Sequence, residues 1–267
     1  MKFQVRIAAM FFLLAAFAFA GCGGGNGAAS NPATYTVTFN SQGGSAVAAQ
    51  TVNPGEKAAE PTAPAKTYFT FAGWYKEAAC INAWNFNIDI VNGHVTLFAK
   101  WNDQYALRDT GPAGGLIFYL NPNYATDGWR YLEAAPSDQS TGVQWYNGSY
   151  VLINAWVTGG GDAIGTGQAN TTAIVTAQGA GTYAAKICDD LVIGSYSDWF
   201  LPSQDELGQM YANLKAAPYG VGGFADSLYW GSTEYDTTGA GEYYFLSGGG
   251  GLTSKDAALR VRAVRAF

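Results

Sequence analysis

An α+β fold in two unequal parts is what this sequence predicts, and three observations predict it. Between Tyr35 and Trp101 apolar residues recur at every second position in short runs, the period of half-buried strands. From Thr182 to Leu191, and again after Ser203, they recur at helical spacing. Short apolar runs at 115–119, 129–132, 227–230, 243–246 and 259–264 supply further strands around those two helices.

The composition agrees with packed cores. The chain has 267 residues, 48% hydrophobic and 15% aromatic but only 13% charged, which suits one large domain or two small ones and not a disordered tail. Fourteen Lys+Arg against twenty Asp+Glu give −6, which argues against a non-specific phosphate-binding surface, so no nucleic-acid partner is expected. One histidine, His94, and three cysteines, Cys22, Cys80 and Cys188, are too few for a His-rich or all-cysteine zinc site or a disulfide framework. A histidine-dependent triad would have to use residue 94.

Residues 1–21 read as an address. Lys2 and Arg6 precede an apolar run from Ile7 to Ala20. Such a run rises only about 21 Å as a helix, short of the roughly 30 Å hydrocarbon core, so it reads as a secretory signal and not a span. Phe19-Ala20-Gly21-Cys22 resembles the lipobox of bacterial lipoproteins, with Phe19 where that family usually has leucine. The resemblance implies that the Cys22 thiol is acylated and becomes the mature N-terminus. Loss of Lys2 and Arg6 leaves twelve basic against twenty acidic residues, or −8. Acyl chains, not a basic patch, would therefore hold the protein to a membrane. Gly23 after the cysteine is not the aspartate that retains lipoproteins at an inner membrane, so in a two-membrane cell the outer membrane is expected. Residues 22–34, rich in Gly, Ala, Ser and Asn, read as a flexible tether.

In residues 35–101, Tyr35, Val37 and Phe39 alternate with polar neighbours. Gln42-Gly43-Gly44, Asn53-Pro54-Gly55 and Asn92-Gly93 mark turns. Phe69, Phe71, Trp74 and Tyr75 supply an aromatic centre, and Val95, Leu97, Ala99 and Trp101 alternate again. YTVTFNSQGG, TFAGWYKE and VTLFAKW resemble the Listeria–Bacteroides repeat, also called the internalin B B-repeat. That resemblance implies a β-grasp-like module serving bacterial surface proteins as a spacer or interaction unit. His94 falls on the strand face opposite Val95 and Leu97 and is expected to be an exposed, solitary histidine.

The second unit spans residues 105–267. Tyr183, Ile187 and Leu191 with Ala184 and Cys188 make an amphipathic helix, and Cys188 is expected to be a small core residue. Ser203 followed by Glu206 is a capping box opening the second helix. GPAGGLIFYL, DGWRYLEAAP, YAAKICDDL, YSDWFLPSQDEL, YWGSTE and RVRAVRAF resemble, in that order, the Lcl C-terminal domain family, related to the Fibrobacter major paralogous domains. The resemblance implies a C-type-lectin-like domain of two helices on a twisted, mostly antiparallel sheet, with no catalytic activity established for the class. Gly231 replaces a common serine and is expected to loosen a strand end.

No nucleotide-binding, metalloprotease, serine-hydrolase or complete EF-hand motif occurs, so no catalytic residue, cofactor or metal site is assigned. Calcium is compatible with a lectin-like domain, but no motif supports it, and Trp101-Asn102-Asp103 lies outside that domain. Glu133, Asp198, Asp205, Glu206, Glu234 and Glu242 leave open a glycosidase-type carboxylate pair. Trp199 and Trp230 read as core. Trp145, Tyr146, Tyr150 and Trp156 fall in a Gly/Asn-rich stretch and are the candidate ligand contacts. The sequence thus predicts a non-enzymatic surface lipoprotein that recognises a glycan or protein. A structural envelope spacer and a small carboxylate hydrolase are the alternatives.

Overall fold

The computed structural model describes residues 34–153 and 161–267. Its first part is a four-stranded sheet made of β1 (Tyr35–Asn40), β2 (Gln50–Val52), β3 (Phe69–Tyr75) and β4 (Val95–Asp103). The order is β2-β1-β4-β3, with β1 and β4 parallel and each outer strand antiparallel to its neighbour. Alternation decides the burial: Tyr35, Val37 and Phe39 face the core while Thr36, Thr38 and Asn40 face water. Trp74 closes that core, its ring 4.8 Å from Phe39. Gly73, at φ 107°, lies where the β3–β4 register shifts and takes a conformation closed to most side chains. His94 is exposed, and its Nδ1 accepts the Thr36 N–H at 3.0 Å.

The second part contains two sheets. Strands β5 (Leu116–Leu120), β6 (Tyr131–Ala134) and β12 (Val264–Ala266) form one, in the order β12-β6-β5. The other has the order β10-β9-β8-β11-β7, from β7 (Ser140–Val143), β8 (Leu228–Glu234), β9 (Gly239–Tyr244), β10 (Gly250–Ser254) and β11 (Leu259–Val261). Only the β8–β11 contact is parallel. A one-turn helix α1 (Tyr124–Asp127) links β5 to β6. Helices α2 (Gly167–Gln178), α3 (Ala184–Asp189) and α4 (Gln204–Met210) follow, and α4 runs on into a π-helical turn, Tyr211–Lys215. The mixture of sheets and few helices is the α+β class.

Two cores lie on opposite faces of β8, because successive side chains of a strand point opposite ways. Trp230 joins Trp145, Ile174, Tyr183, Cys188 and Trp199 in one. Its neighbour Tyr229 joins Phe118, Leu132, Leu207, Met210 and Phe245 in the other. The capping box forms as the sequence predicts: Ser203 Oγ accepts the Glu206 N–H, and the Ser203 N–H donates to Glu206 Oε2 at 2.8 Å.

Several details differ from the sequence reading. Helix α2 was not signalled and joins the two helices that were. Strands β7 and β10 were also unsignalled. The run 259–264 splits into β11 and β12 at Arg262-Ala263. Gly231 is no strand end; it is buried inside β8, and its carbonyl accepts the Trp145 indole N–H at 2.8 Å.

The two parts meet at a joint of aromatic rings and backbone. Tyr131 Oη donates to the Tyr68 carbonyl at 2.8 Å and accepts the Gln104 N–H at 2.9 Å. Tyr68 Oη donates to the Gly128 carbonyl, and Arg130 pairs with Asp103 at 2.7 Å.

Candidate recognition surface

The loop after β7 carries three of the four candidate contacts within the described residues. These are Trp145, Tyr146 and Tyr150, and Trp145 offers no surface to a ligand. It is wholly buried, so the expectation that it touches ligand is corrected: a Gly/Asn-rich neighbourhood does not expose an indole whose N–H has a buried carbonyl to meet. Tyr146 is half-buried and Tyr150 is 44% exposed. Their rings stack with centroids 4.7 Å apart and an interplanar angle of 27°. Burial raises the Tyr146 hydroxyl above its ordinary range, and its hydrogen bond with Tyr150 acts in the same direction. Val151 and Leu152 extend the exposed apolar surface, at 40% and 48%. Trp156 and the acylation candidate Cys22 lie outside the described residues.

What holds the loop is a feature the sequence did not signal. Lys255 and Glu234 form an ion pair with side chains 0% and 1% exposed. The Lys255 ammonium also donates to the Val151 carbonyl at 3.2 Å and the Thr237 carbonyl at 3.0 Å, and lies 4.7 Å from the Trp145 ring centre. Glu234 Oε2 accepts the Ile153 N–H at 2.7 Å. Both charges therefore bond the backbone just after Tyr150. On the other side, Asn147 takes the Gln178 amide oxygen through its N–H and donates to the Gln178 and Ala180 carbonyls. A tyrosine pair thus stands on a backbone tied at both ends.

The remaining carboxylates are placed as follows. Glu133 accepts the Ala113 and Gly115 N–H groups at 3.1 and 2.8 Å and pairs with Arg265. Asp198 pairs with the same Arg265, while Asp138 pairs with Arg260 and Arg262. Glu206, wholly buried, is pushed up to about 7 by desolvation, against hydrogen bonds from Ser203, Gly165 and Gly167. Burial also raises Glu242, whose Oε2 has no hydrogen-bond partner among the described residues. Asp205 borders an open cleft of about 610 Å³ beside α4, shared with Gln209, Tyr243 and Gly250. Burial raises Asp205, and the charge of Asp162 adds to this. Among the described residues no group of three or more His, Cys, Asp or Glu is placed to hold a metal ion. No helix among them is long and apolar enough to cross a membrane.

Comparison with known proteins defines the class of the first part. Residues 35–100 match the model of the Listeria–Bacteroides repeat domain, in agreement with the motifs of that segment. Two curated proteins of Evansella cellulosilytica are similar over part of the chain. One, named as a Gly-rich membrane protein, is 34% identical over 126 residues, 46% of this chain and 14% of its own length. Another, named as a membrane protein, is 29% identical over 125 residues, 46% of this chain and 18% of its own. The chain therefore spans less than a fifth of either relative. Among solved structures, a fimbrial protein from Bacteroides ovatus aligns over 88% of this chain and 71% of its own, at TM-score 0.43 and 10% identity.

Proposed function

We propose that this is a non-enzymatic cell-surface protein of bacteria, lipid-anchored through Cys22, in which the Listeria–Bacteroides repeat carries a C-type-lectin-like domain that recognises a glycan or a surface protein. The observation that carries the reading is the stacked Tyr146–Tyr150 pair on a loop tied down by a buried ion pair. Paired aromatic faces suit the apolar face of a sugar or an apolar side chain, and a pre-ordered loop loses little entropy on binding. Display of many copies on a membrane would add avidity to a shallow contact. The matched repeat and the names of the two Evansella relatives support a place in the cell envelope, with the outer membrane as our assignment for a two-membrane cell. Absence of catalysis is supported by the ion pairs that occupy Glu133, Asp198 and Glu234. A spacer role is the second reading, and the Tyr68–Tyr131–Gln104 joint favours it by linking the two parts without a slack connector.

A glycan array probed with the full chain, with calcium and then with chelator, tests the reading. Saturable binding that is lost in Tyr146→Ala/Tyr150→Ala, with unfolding unchanged, supports it. A blank array together with no captured surface protein leaves the spacer.

A further inference from the structure

We infer that the outer edge of β10, with the cleft beside α4, is a docking site for an extended peptide segment bearing a lysine or arginine. The first ground is the hydrogen-bond register. The Tyr244 N–H donates to the Gly249 carbonyl and the Lys255 N–H to the Thr238 carbonyl, which fixes residues 249, 251, 253 and 255 as those facing β9. Gly250, Leu252 and Ser254 therefore turn their backbone groups away from the sheet. The Ser254 carbonyl is used by the Ala257 N–H, but the N–H and C=O groups of Gly250 and Leu252 meet no partner among the described residues. β10 is the end strand of its sheet, and these positions are exposed.

Sheet edges are ordinarily guarded by lysine, proline, a bulge or a covering segment. Here the strand reads Gly-Gly-Leu-Thr-Ser, its register with β9 is unbroken, and the following lysine points inward to Glu234. Among the described residues nothing deters a partner from adding a sixth strand, the mode by which extended peptides bind exposed sheet edges.

The second ground is charge. Gly250 and Leu252 share the sheet face of Tyr243, the face packed by α4, so a peptide residue set opposite Gly250 projects its side chain over the cleft. Gly208 and Gly250 leave that cleft open, and Tyr243 supplies an aromatic wall. The Asp205 carboxylate at its rim has no hydrogen-bond or ion-pair partner among the described residues, and Asp162 lies close enough to act on it by charge. By contrast the Gln204 amide is already committed, donating to the Glu242 and Gly251 carbonyls and accepting from Tyr235 Oη. Among the described residues the unpaired charge at the cleft is negative, and a basic side chain on an added strand complements it.

The test is selection of a displayed library of random seven-residue peptides against the full chain, followed by hydrogen exchange with a selected peptide bound. Enriched peptides are expected to carry Lys or Arg at one fixed position and to slow exchange of the Gly250 and Leu252 amides. Binding should weaken about tenfold in Asp205→Asn, as loss of one charge-assisted contact does, and disappear in Leu252→Pro. The latter removes an outward N–H and no ladder bond; Asp205→Asn, which leaves the Ser203 cap intact, serves should Leu252→Pro unfold. No enrichment, selected peptides without a basic residue, or unchanged exchange at Gly250 and Leu252 overturns the proposal. These outcomes are independent of the Tyr146/Tyr150 surface.

Discussion

Replacing Lys255 by methionine keeps the length of the side chain and removes its charge. In the folded protein Lys255 neutralises a carboxylate that is 1% exposed and whose remaining bond is to the Ile153 N–H. Stripping the partner from a buried charge costs about 3–5 kcal/mol. The lost bonds to Val151 and Thr237 are part of the same event and are not added separately. The companion variant Glu234→Gln/Lys255→Met removes both charges. Its cost should fall to about 1–2 kcal/mol, the worth of the hydrogen bonds alone. Urea unfolding followed by near-ultraviolet circular dichroism reads both variants, with the m-value checked for constancy. In Lys255→Met, hydrogen exchange of the Ile153 amide should also quicken. A double variant no more stable than Lys255→Met would show that packing against Trp145, and not charge burial, sets the cost. A loss below about 1 kcal/mol in the single variant would refute the buried-charge argument itself.

Other outcomes follow from particular contacts. Glu206 is raised from 4.5 to about 7, so the folded state holds the extra proton between those values. Its contribution is fully present below pH 4.5 and is lost as pH rises to about 7, a fall of roughly 3 kcal/mol; Glu206→Gln should flatten the stability–pH curve across that window relative to the parent. A Cβ on Gly115 would sit 1.9 Å from the Ala134 carbonyl oxygen, so Gly115→Ala should cost about 1–3 kcal/mol or more by forcing β5 from β6, measured by thermal unfolding. Tyr131→Phe removes a second acceptor of the Gln104 N–H and a second donor to the Tyr68 carbonyl, but these two still bond each other at 2.9 Å; a loss of only about 0.5–1.5 kcal/mol is therefore expected on thermal unfolding, with faster exchange of the Gln104 amide.

The sequence made β1, β4 and the Ser203–Glu206 cap legible because each obeys a local rule, strict alternation or a fixed capping spacing. Helix α2 was hidden because Gly-Gln-Ala-Asn-Thr-Thr is poor helix-forming sequence and little of it is apolar. Tertiary bonds support it: Asn170 donates to the Gly161 carbonyl and Ser232 Oγ, and Thr171 exchanges hydrogen bonds with the Leu201 backbone. Strand β10 was hidden for the opposite reason, since glycine carries no periodicity to read. Within the candidate surface, Tyr146 and Tyr150 are legible as aromatic residues of a loop-like stretch, while their stacking on each other is not. Trp145 shared those surroundings, and only the fold reveals that it turns inward to the Gly231 carbonyl. Glu234 and Lys255 are 21 residues apart, and no spacing rule connects them.

The parallel pairing of β1 with β4 has a mechanical consequence. Tension applied before Tyr35 and after Asp103 draws β1 toward its start and β4 toward its end. In a parallel pair these pulls run along the strands in opposite directions, so the ladder from Val37–Val95 to Asn40–Phe98 is sheared as a block and not peeled bond by bond. Forced rupture is governed by the unfolding barrier and not by equilibrium stability. The repeat can therefore be thermodynamically ordinary and still hold firm when the domain beyond it is pulled.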